Sequence, residues 1–218
     1  MAFFNFLSST PAPLIDRSTD RLATMLETAS TMFEGATSCL LDNHDLHLDL
    51  KSMDDTVNEG EREIRRSVLE HMAVNPADDL SHSLLLLSVV QDAERCGDLG
   101  KSIAKASAMA EQPRTGRHTE ALRAIRDRIA TMYPKAIAAL RDGDAGQAGD
   151  VMATHDEIKR EVADYLQALA AADDLSLNQG VVLTLGAQYI GRVSSHLSNV
   201  ASMVAMPFDL VRNSPQAA

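Results

Sequence analysis

The chain has 218 residues, of which 31 are acidic and 20 basic, so its formal net charge at pH 7 is −11. An acidic surface repels the phosphodiester backbone, so nucleic acid is excluded as an expected partner. Hydrophobic residues make up 45% of the sequence but aromatic residues only 4%, a mixture rich in Ala, Leu and Met that favours helices over strands.

The first half of the chain contains three helical patterns. Apolar residues recur three and four positions apart over residues 22–40, which places them on one face of a long amphipathic helix. A second pattern covers residues 50–72 and ends before a proline. The third follows Asp78 and Asp79, which can cap the helix, and continues to about Met109.

The second half repeats this pattern. Met132 and Tyr133 occupy the places of Met32 and Phe33, and a sixth helix is predicted from about Ser176. The chain therefore reads as all-α, an elongated six-helix bundle of two tandem three-helix repeats, with helices roughly 40 Å long. The predicted division is an N-terminal segment at 1–15, a first repeat at 16–110, a linker at 111–117, a second repeat at 118–206 and a tail at 207–218.

Several glycines interrupt the helical patterns, although each costs about 1 kcal/mol relative to Ala in a helix. We expect them to mark close helix approach or room for a bound group. They are Gly60, Gly97, Gly100, Gly186 and Gly191.

Carboxylates lie in the apolar third helix. Glu94 and Asp98 are four residues apart, so on a helix they lie one turn apart and can present oxygens to the same point. The second helix can add Asp54, Asn58 or Glu61 from the facing side. Because oxygen-rich coordination suits hard cations such as Mg²⁺, Ca²⁺ or Mn²⁺ and tolerates Fe³⁺, we predict one cation site here.

The alternative for these carboxylates is ordinary ion pairing. Glu94 and Asp98 would then be partly exposed and paired with Arg95, with Lys101 or with arginines of the second helix such as Arg62. The residue pattern leaves both readings open.

Two motifs and the duplication together resemble the PhoU family of phosphate-uptake regulators. Residues 94–99, Glu-Arg-Cys-Gly-Asp-Leu, are similar to the family's Glu-Arg-Ile-(Gly/Ala)-Asp signature in the third helix. Residues 54–64 look like its Asp-x-x-(Ile/Val)-(Asp/Asn) run followed by acidic residues and Ile. The resemblance covers nearly the whole chain and implies PhoU-like repeats whose carboxylate motifs bind metal ions, with iron and zinc the usual suggestion.

The second repeat does not keep these carboxylates. Gly191 and Ser195 stand at the equivalent places on the sixth helix, and His155 and Lys159 on the fifth. The resemblance therefore implies a divalent or ferric ion in the first repeat only, with Mg, Ca, Mn, Fe and Zn not distinguished. We expect His196 to be a hydrogen-bonded, half-buried imidazole, not a metal ligand.

The function that the resemblance implies is regulation of phosphate uptake and homeostasis in the cytoplasm. The chain would be a metal-assisted adapter on a phosphate transporter or its sensor histidine kinase, reaching the membrane through that partner; a homodimer is left open. The alternative is a metal-independent helical scaffold or an accessory protein of a phosphate permease or sodium/phosphate cotransporter.

Catalysis is not expected. A ferritin-like di-iron centre uses Glu-x-x-His pairs, and none of the seven histidines has a Glu three residues before it. The sequence also lacks a Gly-x-Ser-x-Gly elbow, a phosphate-binding Gly-x-x-x-x-Gly-Lys loop and a Cys-x-x-Cys pair.

Overall fold

The computed structural model describes residues 14–74 and 79–212, and within them the chain forms six α-helices and no strand. The all-α six-helix prediction is confirmed. The longest helices have 29 residues, which corresponds to about 43 Å at 1.5 Å per residue. The helices are α1 (Leu14–Asp42), α2 (Leu50–Val74), α3 (Leu80–Ala108), α4 (Arg117–Asp142), α5 (Ala145–Ala170) and α6 (Leu177–Ala205), followed by a 3₁₀ turn at Phe208–Leu210.

The predicted domain limits meet the helices as follows. The N-terminal segment at 1–15 lies almost wholly outside the described residues, and so does the end of the tail beyond residue 212. Helix α4 begins at Arg117, the last residue predicted for the linker, and α6 ends at Ala205.

One hydrophobic core is shared by the two repeats. Helix α1 packs against α4, and at their contact the rings of Phe33 and Tyr133 lie with centroids 5.7 Å apart at an interplanar angle of 45°. Both side chains are fully buried. These two residues occupy equivalent places in the repeats, so the two repeats contact each other through equivalent side chains.

Helix α3 packs against α1, α2 and α6, and glycine lets it approach closely. A methyl group at Gly100 would lie 3.1 Å from the Cβ of Met32 and 3.4 Å from its carbonyl carbon. At Gly186 on α6 a methyl group would lie 2.6 Å from Leu40 Cδ2. The prediction that helical glycines mark close approach is confirmed at Gly100 and Gly186, because a side chain at either position would press on α1.

The predicted cap of α3 is wrong for Asp79, and Asp78 lies outside the described residues. Asp79 stands at the N-cap, but its backbone is left-handed with φ 51°, and its side chain makes no capping hydrogen bond. A capping side chain needs an extended backbone to reach the first free N–H groups. Ser176, with ψ 158°, meets that condition and forms a reciprocal capping box with Gln179 at the start of α6.

The linker between the repeats is tied to the end of α1 by Arg114. Its Nε donates to the carbonyl of Leu40 at 2.7 Å, and an Nη2 hydrogen donates to the carbonyl of Cys39. Asn43, in the left-handed conformation just beyond the helix, accepts from Arg114 N at 2.8 Å and donates to its carbonyl at 3.0 Å. The guanidinium thus satisfies carbonyl groups that the helix end leaves without partners.

We expect Arg114→Ala to lower the free energy of unfolding by about 2 kcal/mol, because buried carbonyls at the end of α1 lose a charged donor. Urea unfolding followed by circular dichroism measures the change. Arg160→Ala, at an exposed position on α5, is the matched control. Equal stability of the two variants would contradict the capping role.

Candidate functional site

The acidic residues predicted as a site lie where α2 faces α3. Asp54 on α2 is buried, with 7% of its surface exposed. Gly97 on α3 leaves space beside it, since a methyl group there would lie 3.8 Å from Asp54 Oδ1. Gly97 thus lies directly beside the Asp54 carboxylate, on the helix that carries Glu94 and Asp98.

Lys101 joins the two helices at this point. Its Nζ lies 2.6 Å from Asp54 Oδ2 and 2.9 Å from Asp98 Oδ1. Burial alone would lower the pKa of Lys101, but hydrogen bonds to Asp54 and Asp98 outweigh burial and raise it above its usual value. The ammonium is therefore charged at neutral pH and supplies a cation to both carboxylates.

Asp98 also pairs along its own helix. Arg95 Nη1 lies 2.9 Å from Asp98 Oδ2, while Arg95 Nε lies 3.5 Å from Glu94 Oε2. Burial opposes ionisation of Asp98, yet the Lys101 and Arg95 charges hold its pKa below the usual range. The ion-pairing reading of the sequence is confirmed for Arg95 and Lys101.

Glu94 is the least compensated carboxyl group of the set. Its side chain is only 13% exposed. Burial first, and then the negative charge of Asp98, raise the pKa of Glu94 from 4.5 to about 7. Near neutral pH this carboxyl group is thus balanced between its neutral and charged forms.

Asn58 and Glu61 complete the predicted set on α2. Asn58 Nδ2 donates to Asp54 Oδ2 at 3.1 Å. Glu61 Oε1 accepts two hydrogen bonds from Arg65, at 3.0 and 2.8 Å. Asn58 therefore belongs to the Asp54 site, whereas Glu61 is held by an arginine of its own helix.

The donor chemistry of these residues suits a hard cation, but an ammonium already lies among them. Asp54 Oδ1 is buried and has no hydrogen-bond partner, which is costly for a carboxylate oxygen and would be relieved by a cation. Over residues 14–74 and 79–212, however, no three His, Cys, Asp or Glu side chains are grouped closely enough to hold a metal ion. Metal binding stays a prediction, and it requires Lys101 to move.

The equivalent region of the second repeat is built without carboxylates. Ser194 Oγ donates to the carbonyl of Gly191 at 2.7 Å, so it accepts from His155 Nδ1, 2.9 Å away. Burial lowers the pKa of His155, which favours the neutral ring. A methyl group at Gly191 would lie 3.1 Å from Val162 Cγ2, so this glycine serves helix packing.

Sequence reasoning missed a buried carboxylate that joins the repeats. Asp92 on α3 is 1% exposed, and its Oδ1 accepts from His196 Nδ1 and Asn199 Nδ2 on α6, each at 2.8 Å. Arg212 Nε, beyond α6, lies 3.1 Å from Asp92 Oδ2. The prediction of a hydrogen-bonded, half-buried His196 is confirmed. No local motif signals this cluster, because its members lie far apart in the sequence.

Comparison with known proteins finds similarity to one family in the first half of the chain. Residues 22–107, within α1 to α3, match the family model described as the PhoU domain. The first three helices are therefore similar to the PhoU domain. A relative from Deinococcus radiodurans, named phosphate-specific transport system accessory protein PhoU homolog, is 27% identical over 191 residues, which cover 83% of this chain and 87% of the relative.

Two solved structures share the fold. PhoU from Pseudomonas aeruginosa superposes with a TM-score of 0.80 at 23% identity, covering 88% of this chain and 95% of the other. The phosphate transport system regulatory protein PhoU from Streptococcus pneumoniae gives a TM-score of 0.74 at 18% identity, covering 94% and 96%. The predicted bundle of two PhoU-like repeats is confirmed by both. Among the described helices, none combines the length and apolar character needed to cross a bilayer.

We expect Glu94→Gln to stabilise the protein increasingly as the pH rises from 4.5 to 7, reaching about 3 kcal/mol and then levelling off. The raised pKa means that folding opposes ionisation of Glu94, so the wild type loses stability across this interval. Below pH 4.5, Glu94 is neutral in both the folded and the unfolded chain, so the stability difference between Glu94→Gln and wild type disappears.

Urea unfolding of wild type and Glu94→Gln at several pH values measures this difference. Glu70→Gln, at an exposed position on α2, serves as the matched control and should show no such rise. A stability difference for Glu94→Gln that does not change with pH would contradict the buried-carboxyl account.

Proposed function

We propose that the chain regulates phosphate uptake in the cytoplasm by acting as an adapter on a phosphate transporter or its sensor histidine kinase. The observation that carries this proposal is the match of residues 22–107 to the PhoU domain. The name of the Deinococcus radiodurans relative, an accessory protein of a phosphate-specific transport system, supports the same role.

The α2–α3 site also favours contact over catalysis. Asp54 and Asp98 are paired with Lys101, and Arg95 holds Asp98 from the other side. These ion pairs fix one helix against another and engage Asp54 and Asp98, so neither carboxylate is free to act as a nucleophile or base. The relatives are named as accessory and regulatory proteins, which agrees with a chain that is not an enzyme.

In the metal-assisted form of this role, a cation binds to the carboxylates where α2 faces α3. A hard cation would be held by oxygens of Asp54, Glu94 and Asp98, with Asn58 and Glu61 beside them. It would supply the positive charge that now comes from Lys101. The orphaned Asp54 Oδ1 supports this form.

The metal-independent scaffold is the second candidate, and Lys101 is the observation that favours it. An internal ammonium already bridges the carboxylates of α2 and α3. The bundle therefore has a charge-balanced contact between these helices without any ion from solution.

Deleting the gene in its own host should raise phosphate uptake in phosphate-replete medium, because a regulator that restrains the transporter is lost. Uptake of radiolabelled phosphate measures the effect, and a plasmid copy of the wild type should restore it. Unchanged uptake on deletion would contradict the regulatory role.

Complementation with Glu94→Ala/Asp98→Ala separates the two forms of this role. The metal-assisted form expects this variant to fail while Asp150→Ala/Asp164→Ala, which removes two exposed carboxylates from α5, succeeds. Full complementation by both variants would leave the metal-independent scaffold as the mechanism.

Lys101→Met should raise the affinity for Mn²⁺ by roughly tenfold or more, because the ammonium that competes for Asp54 and Asp98 is removed. Calorimetric titration, with elemental analysis of bound metal, measures the change. Lys135→Met, at an exposed position on α4, is the control. Equal affinity of wild type and Lys101→Met would contradict competition between lysine and metal.

A further inference from the structure

A polar pocket lies between α3 and α6. It is open to solvent and encloses about 250 Å³. Four cationic side chains line it, together with the carboxylate of Asp98 and the hydroxyl of Ser102. The cations are Arg95, Lys101 and Lys105 of α3 and Arg192 of α6.

Two of these cations lack a counter-ion. Arg95 and Lys101 are paired with Asp98, and Lys101 also with Asp54. Lys105 and Arg192 are exposed, and within the part of the chain that the structure describes neither forms an ion pair. The pocket is thus a local excess of positive charge on a chain whose net charge is −11. Clustered charge of one sign in a cleft attracts an ion of the opposite sign.

We propose that this pocket binds inorganic phosphate, with Lys105 and Arg192 as its principal ligands. The charge of the phosphate dianion matches these two uncompensated cations. A guanidinium offers paired donors that fit phosphate oxygens, and an ammonium adds a compact charge. The pocket is also small, and suits a single ion with its waters better than a large organic ligand.

Asp98 gives the pocket a basis for choosing phosphate over sulfate. Hydrogen phosphate keeps an O–H that can donate a hydrogen bond, whereas sulfate at neutral pH has none. A carboxylate can accept several hydrogen bonds, so Asp98 has capacity left while Arg95 and Lys101 donate to it. The Asp98 carboxylate can therefore accept a hydrogen bond from the O–H of hydrogen phosphate, whereas it can only repel sulfate.

This inference deepens the proposed function, because it gives the regulator a direct contact with the ion whose uptake it controls. It is tested on the purified chain without a transporter or kinase. If the purified chain does not bind phosphate, a change in uptake on gene deletion would still support the regulatory role. If deletion does not change uptake, phosphate binding by the purified chain would still be measurable.

The test is a titration of the full chain with inorganic phosphate at constant ionic strength, maintained with sodium chloride and followed by amide chemical shifts in NMR spectra. We expect saturable shifts for residues around Lys105 and Arg192. Lys105→Ala/Arg192→Ala should weaken binding by roughly tenfold or more, since two charged donors are lost. Lys135→Ala/Arg160→Ala removes the same charge from exposed positions on α4 and α5 and should bind as the wild type does.

Two outcomes would overturn the proposal. One is the absence of saturable shifts in the wild type. The other is equal weakening by the two double variants, which would show that phosphate responds only to overall charge. Sodium sulfate, titrated in the same way, should bind more weakly than phosphate; equal binding would overturn the selectivity assigned to Asp98.

Discussion

The close approach of α3 to α1 and α2 is the constraint on which the candidate site depends. Gly100 lets α3 lie against the backbone of α1, and Gly97 leaves the space that the Asp54 carboxylate enters. A side chain at position 100 would push α3 away from α1, and one larger than a methyl group at position 97 would crowd the Asp54 carboxylate. Once the helices lie this close, carboxylates of both point to one small region, and a positive charge must balance them.

Lys101 supplies that positive charge from within the chain. Its ammonium reaches Asp54 on α2 and Asp98 on α3, so it links helices as well as neutralising charge. A partly buried carboxylate without a partner is costly, and the ammonium and a metal ion are alternative ways of meeting that cost. Lys101 also lines the pocket between α3 and α6. The acidic site and the cationic pocket therefore share one side chain.

Most of the fold could be predicted from the sequence, because periodic apolar residues determine which helix faces become buried. The repetition of Met32 and Phe33 as Met132 and Tyr133 indicated a duplicated unit, and the rings of Phe33 and Tyr133 do contact each other. Helix ends were less predictable. Asp79 has a capping side chain, but its backbone conformation prevents capping, and a single sequence does not reveal that angle.

The candidate site was only partly predictable for a related reason. Glu94 and Asp98 could be placed on one helical face by spacing alone. The choice of Lys101 as the partner of Asp54 depends on how α2 and α3 are rotated against each other, which spacing does not fix. The same holds for Asp92, whose partners His196 and Arg212 come from the other repeat and the segment after it.

The two repeats share helix packing but differ in charge at equivalent places. The first has carboxylates with a bridging ammonium, and the second has His155 hydrogen-bonded to Ser194. Both repeats therefore contribute to one hydrophobic core, but only the first repeat has the carboxylates and the bridging ammonium. This asymmetry makes Lys101 the residue on which the account of the site depends.

Nitrogen-15 NMR of the lysine ε-ammonium groups tests that account most directly, with the Lys101 signal assigned by its absence from a variant lacking this lysine. The account predicts that the Nζ protons of Lys101 exchange with water more slowly than those of exposed lysines, and that the signal shifts when Asp54 is replaced by Asn. A Lys101 signal that exchanges as fast as the others and does not respond to Asp54→Asn would contradict it.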